Sequence, residues 1–198
     1  MDRPKYLTLM PLFETLEGER VVVRPYQEED AEALFAAVEE SREHLRPWME
    51  WEAFHLTIDE SREFIARSRA SWILRENMNV GIWRREDGRY LGGSGLHVHS
   101  WDTRSFEIGY WLRTTAEGHG YMSETVRLLT DFAFTHLDAV RVEIRCDARN
   151  ARSAGVAERL GFVREAQLRN HELASDGSLR DTLIFSLIPS DPRWPERK

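Results

Sequence analysis

Two glycines, Gly118 and Gly120, lie between a β-like run and a helical run in FEIGYWLRTTAEGHGYMSETVR, Phe106 to Arg127. Their spacing is the one best suited in this chain to holding an anion. A helix start leaves N–H groups without intrahelical acceptors, and glycine lets a ligand approach the backbone closely. The phosphates of a nucleotide-like cofactor are the natural occupant. Gly-x-Gly also occurs in plain strand-to-helix connections, so the loop alone leaves both readings open. His97 and His99 alternate on one strand and share a face, as a pair of metal ligands would. A solvated or core-edge pair fits them as well, no third ligand is evident, and no metal is expected. Cys146 is the single cysteine. With no base beside it in sequence, it reads as a buried strand residue rather than a nucleophile.

The elements that would position these residues follow from local pattern. RVVVRP, Arg20 to Pro25, is a β-branched strand closed by proline. A helix begins near Glu28, with acidic residues in its first turn and Ala31, Leu34, Phe35 and Val38 on one face. HLRPWMEW, His44 to Trp51, is non-periodic and aromatic, suited to a substrate wall or to a plug over the core. Thr57 and Glu60 form a capping box that opens a second helix reaching about Arg75, with Ile58, Ile65 and Trp72 on its buried side. Asn79–Arg84 and Tyr90–Ser100 read as a hairpin turned by Asp87-Gly88, and glycines 92, 93 and 95 suggest a bulge or close packing. Ser105–Leu112 is the next strand. After the Gly-x-Gly loop comes a helix with Met122, Val126, Leu129, Ala133 and Leu137 on one face. Val140–Cys146 is a strand, Asn150–Leu160 a short helix closed by Gly161. Phe162–Leu173 and Leu179–Ile188 are strands joined through Ser175-Asp176-Gly177. This order predicts one α/β sheet, mostly antiparallel, with a parallel step across the central helix.

A chain of 198 residues with 41% hydrophobic and 31% charged residues is expected to be a folded globular domain. No apolar run approaches the roughly 18 residues of a membrane span, and MDRPKYLTLMPLF lacks the form of a secretion signal. A lone cysteine excludes an intrachain disulfide and fits a cytoplasmic protein. The net charge of −7 disfavours nucleic acid and is friendlier to a cationic partner.

Four stretches, HLRPWMEW, FEIGYWL, EGHGYMSE and RVEIRCDARNARSAGVAERLGFVREAQLR, give the chain a resemblance to the GNAT acyl-CoA-dependent N-acetyltransferases. The branch it looks most like is the RimJ/RimL type of ribosomal-protein N-terminal acetyltransferase. The likeness runs from RVVVRP to LIFSLI. It implies a single GNAT-like α/β domain over residues 1–189, with about seven strands and four helices, and an irregular tail at 190–198. It implies acetyl-CoA as cofactor and an amine-bearing acceptor, by preference a protein N-terminus. A polyamine or aminoglycoside is the alternative acceptor, and a non-catalytic acyl-CoA binder the alternative function. Neither nucleic acid nor membrane is an expected partner, and a homodimer is compatible with the likeness.

Residue by residue, the resemblance implies that Glu117, Gly118, His119, Gly120, Tyr121, Met122 and Ser123 surround the pyrophosphate. Here Glu117 stands where the family has Gln or Arg, and Met122 where it has a small residue. Because the loop works chiefly through backbone N–H groups, cofactor binding is expected to survive both departures; if Met122 crowds the pyrophosphate, shortening it to alanine should tighten binding, and if the loop accommodates it, affinity should stay unchanged or weaken. The pantetheine arm is expected in a gap between the strand of Tyr110, Trp111 and Leu112 and the strand at Val140–Cys146. Asn150 and Ser153 match positions near the thioester. Glu107 and Glu172, the latter 19 residues beyond Ser153, are the candidate bases, and Ser153 is the candidate acid.

Overall fold

The alternating valines of RVVVRP fix the first long strand, with Val21 and Val23 fully buried. Residues 6–49 and 55–192 are described by the computed structural model. A two-residue strand β1 (Leu16–Glu17) pairs with β2 (Val21–Pro25), and antiparallel pairing continues through β3 (Asn77–Arg84), β4 (Tyr90–Ser100) and β5 (Ser105–Leu112). β6 (Arg141–Asp147) then lies parallel to β5, and the closing hairpin of β7 (Val163–Leu173) and β8 (Leu179–Leu187) folds back so that β8 sits beside β6. The sheet order is β1-β2-β3-β4-β5-β6-β8-β7, eight strands where the sequence suggests about seven. The extra one is β1, too short to show any alternation.

Helices α1 (Ala31–Leu45) and α2 (Ile58–Leu74) cover one face, and α3 (Tyr121–His136) and α4 (Ala151–Arg159) the other. The first face packs Leu34, Val38 and Ile65 against Tyr26, Trp83 and Tyr90. The second packs Val126, Leu129 and Ala133 of α3 onto Val80, Ile108, Val142 and Phe185. α2 starts at the predicted capping box, Glu60 N donating to Thr57 Oγ1 and Thr57 N to Glu60 Oε2 (3.3 and 3.0 Å). α1 begins as a 3₁₀ turn at Glu28–Asp30 and runs on to Leu45, so the first two residues of HLRPWMEW belong to a helix. Glu50, Trp51 and residues 193–198 of the predicted tail lie outside the described residues.

The glycines of β3 to β5 have a packing cause. A Cβ on Gly81 would lie 2.1 Å from the Trp83 ring, and one on Gly93 2.7 Å from both Trp111 Nε1 and Tyr26 Oη. The predicted bulge is present where β3 and β4 shift register between Ile82 and Trp83, opposite Gly92 and Tyr90. Aromatic rings lie flat over a glycine floor here, and this floor becomes one wall of the site.

Candidate active site

β5 and β6 pair at only three positions, Ser105↔Arg141, Phe106↔Val142 and Glu107↔Glu143. Beyond Glu107 they part. β5 continues to Leu112 against β4, and β6 continues to Asp147 against β8. Beyond Glu107 the edge of β5 has no β6 residue paired to it, the arrangement in which an extended ligand can be taken up as an added strand. The Tyr110 hydroxyl crosses the gap to α4. It donates to the Ser153 carbonyl (3.0 Å) and accepts from Ser153 Oγ (3.1 Å). Burial pushes the Tyr110 phenol well above its ordinary pKa, so it stays protonated. Asn150 caps α4 by accepting from Ser153 N at 3.0 Å.

A cleft of about 1060 Å³ opens from this gap toward the start of α3. Tyr110, Trp111, Leu112, Asn150 and Ser153 line its inner part, and Glu117, Gly118, Gly120, Met122 and Ser123 its outer part. Gly118 and Gly120 both have φ of 78°, a left-handed conformation that favours glycine. No atom lies within 4 Å of where a Gly118 side chain would begin, which leaves the backbone open to an anion. His119 and Tyr121 are not brought into the cleft wall. Their rings lie 5.6 Å apart, and the Arg20 guanidinium lies 6.0 Å from the Tyr121 ring. Met122 meets both expectations drawn from the sequence: its side chain is 6% exposed and packs in the main core, and the residue also lines the outer part of the cleft.

The unusual Glu117 is paired rather than bare. Its carboxylate accepts from His44 Nε2 at the end of α1 (2.6 Å) and from Arg152 at the start of α4. α1 also steadies the approach to the loop. Glu40 binds the Arg113 guanidinium and Thr115, and the Arg113 contact holds its pKa down to about 2. Ser41 Oγ accepts from Thr114 N at 3.0 Å.

On the α1/α2 side a second cavity, about 590 Å³, meets the cleft at Tyr110, Trp111, Asn150 and Ser153. Glu107 and Glu172 both line it, as do Trp48 and Met49 of the aromatic segment. Glu107 lies 3.1 Å from His99 Nε2 and 3.4 Å from Arg145 Nε. Glu172 accepts from Arg180 Nη2 at 2.6 Å. Cys146 lines the same cavity, and burial pushes its thiol pKa up.

Sequence reasoning misses Arg145, Arg180 and Asp147, which share this cavity. Arg145 with Glu107 and Arg180 with Asp147 join strands distant in sequence, and no local pattern announces that these groups share a cavity. The third partner for the histidine face is of the same kind. His99, Glu107 and Glu143 bring ligand atoms within 4.8 Å of one another, but Arg141 and Arg145 already hold Glu143 at 2.7 and 3.0 Å. His97 instead turns over the glycine floor. Its Nδ1 lies 3.1 Å from Asn77 Oδ1, a Cβ on Gly109 would lie 3.0 Å from its Nε2, and burial lowers its pKa, which favours the neutral ring.

A sheet that parts beside a strand with a free edge, with a Gly-x-Gly helix start at the end of the gap, defines an acyl-CoA-dependent acyltransferase fold. The chain belongs to the acetyltransferase (GNAT) domain family, whose model matches residues 20–163, and it is an acetyl-CoA-dependent N-acetyltransferase. It is 29% identical over 188 residues to the putative ribosomal N-acetyltransferase YdaF of Bacillus subtilis (strain 168), covering 94% of this chain and 100% of that one. Mycobacterium smegmatis RimJ, solved in complex with CoA-disulfide, matches with a TM-score of 0.76 and 26% identity, over 85% of this chain and 81% of that one. RimL, a ribosomal L7/L12 alpha-N-protein acetyltransferase solved with coenzyme A, shares the fold at a TM-score of 0.83 and 21% identity, over 88% and 98%. Among the described residues no helix is long and apolar enough to cross a membrane.

Proposed function

We propose that this enzyme acetylates the α-amine of a protein N-terminus. The observation that carries the reading is that the acyl-donor cleft and the carboxylate-lined cavity share the wall of Tyr110, Asn150 and Ser153. An amine entering past Trp48 and Met49 reaches that wall directly. The names of YdaF, RimJ and RimL support an acceptor of this class. An α-amine has a pKa near 8, well below lysine, and so yields its proton more easily.

Acetyl-CoA supplies the activated acyl group as a thioester. In this reading the N–H groups from Gly118 to Ser123 hold its pyrophosphate, and the free edge of β5 at Tyr110 to Leu112 pairs with the pantetheine arm. The first-turn amides of α3 lack intrahelical acceptors, as any helix start does, and Gly118 admits a phosphate to the backbone. Glu107 takes the proton from the attacking amine. It sits where β5 and β6 part, and its partner His99 is 38% exposed, a route onward to solvent. Ser153 and Tyr110 act together at the departing sulfur: the serine hydroxyl turns its proton from the Tyr110 oxygen to the sulfur, and the phenol, still donating to the Ser153 carbonyl, holds the start of α4 in place. Glu172 with Arg180 forms the rim on the hairpin side.

Two measurements test this. Ser153→Ala and Tyr110→Phe should each lower kcat by about 10², and the double variant by little more than the larger single effect, because the hydroxyls work as one unit. Additive losses would separate the two roles. For the acceptor, coenzyme A release should be compared with four amines: a peptide with a free N-terminus, the same peptide N-blocked with an internal lysine, spermidine, and an aminoglycoside. Turnover confined to the free N-terminus is the expected result. Turnover that follows the lysine or the polyamine instead removes the α-amine reading.

A further inference from the structure

Arg20 lies just before β2, outside both cavities, and its carbonyl accepts from Arg85 N at 2.8 Å, while the bonds its own N–H groups donate lead to the Gly-x-Gly loop and the helix that follows it. Its backbone N donates to Glu124 Oε1 and its side-chain Nε to Glu124 Oε2, each at 2.9 Å. Glu124 is in the first turn of α3, and its side chain is 2% exposed. Gly18 makes room for the carboxylate, since a Cβ there would lie 2.1 Å from Glu124 Oε1. A buried carboxylate with a donor on each oxygen is a fixed point. It anchors the guanidinium, whose remaining arm, Nη1, donates to the His119 carbonyl at 2.7 Å.

That last bond constrains a peptide plane. In a trans peptide the C=O of one residue and the N–H of the next point in opposite directions. The His119 carbonyl is drawn outward to Arg20, while Gly120 lines the cleft. We infer that Arg20 is a positioning residue for the cofactor's pyrophosphate: by holding the His119 carbonyl away from the cleft, it aims the Gly120 N–H into it. A side chain at 120 would defeat this twice over. The φ of 78° is left-handed, and a Cβ there would lie 3.1 Å from the Arg20 guanidinium. Arg20 acts here by fixing the direction of a backbone dipole.

The inference rests on the loop being the pyrophosphate site, and the test separates the two. Binding of coenzyme A is measured by calorimetry for Arg20→Gln, Arg20→Lys and Gly118→Ala. The ratio of KM for S-acetylpantetheine, which lacks the pyrophosphate, to KM for acetyl-CoA is measured alongside. Arg20→Gln is expected to weaken coenzyme A binding by about tenfold, as loss of a charge-assisted hydrogen bond would, and to lower the KM ratio by the same factor. A merely structural role would weaken both donors alike and leave the ratio unchanged, which overturns the inference. Arg20→Lys keeps a cation beside buried Glu124 but cannot reach both partners with one fork, and it should lower the ratio too. In the unaltered protein, the Gly120 amide resonance should move on adding coenzyme A and stay in place on adding pantetheine. Equal movement with both ligands overturns the inference even if the variants fail to fold. If Gly118→Ala weakens coenzyme A binding and Arg20→Gln does not, the Arg20 role falls and the loop assignment stands. If neither weakens it, both fall.

Discussion

Glu107→Gln is expected to lower kcat by about 10² to 10⁴ while leaving coenzyme A affinity unchanged. Glutamine keeps the size of the side chain and can still hydrogen-bond to His99 and Arg145, but it cannot accept a proton from an ammonium. Glu107 is the last residue of β5 with a partner on β6, so its carboxylate stands at the head of the gap. Glu172→Gln is the matched comparison. Glu172 lines the same cavity from β7, where its oxygen is bonded to Arg180, and its loss should raise KM for the acceptor more than it lowers kcat. Pre-steady-state turnover with saturating acetyl-CoA distinguishes the two. A large kcat loss at Glu172 and a small one at Glu107 would transfer the proton-accepting role to the hairpin.

Met122→Ala should destabilise the fold by about 2 to 5 kcal/mol, the usual range for cutting a buried methionine to alanine. For a chain of this length that lowers Tm by roughly 2 to 4 °C per kcal/mol. Met122 begins the buried face that continues through Val126, Leu129 and Ala133, all of them fully buried. Its truncation removes packing beneath the loop, next to the outer part of the cleft. Denaturant unfolding gives the stability, and calorimetry with coenzyme A shows whether binding tightens. Unchanged stability with tighter binding would mean that the side chain faces the phosphates after all.

Met122 also shows how far the sequence could be read. Two arguments met at that residue. Helical spacing placed it in the core, and the motif's preference for a small residue placed it against the ligand. The structure bears out the spacing, since Met122 packs in the main core, and it also leaves the residue on the lining of the cleft. The long elements were legible for the same reason: α2 with its capping box, α3 with its apolar face, and the hairpin at Asp87-Gly88 each carry a local signal. The parting of β5 and β6, expected from the resemblance alone, is present from Ile108 onward. Electrostatic partners were not legible. Glu117 with His44 and Arg152, Glu172 with Arg180, and Glu107 with Arg145 and His99 join elements that meet only in the folded chain. The local sequence around Glu117 therefore suggests a bare charge beside a phosphate, where the fold supplies it with an arginine and a histidine as partners.

The short seam between β5 and β6 divides the labour of the enzyme between two leaves of one sheet. Glu107 and Tyr110 ride on the leaf of β1 to β5, while Cys146, Asn150, Ser153 and Glu172 ride on the leaf of β6, β8 and β7 or on the helix joined to it. Only three residue pairs of backbone ladder hold the leaves in register, so their alignment depends on α3 and α4 packing beneath them and on the Tyr110–Ser153 clasp above. A donor lying along the edge of β5 and reaching Asn150 bridges both leaves. In the proposed binding mode the donor is therefore a staple between the leaves as well as a reactant.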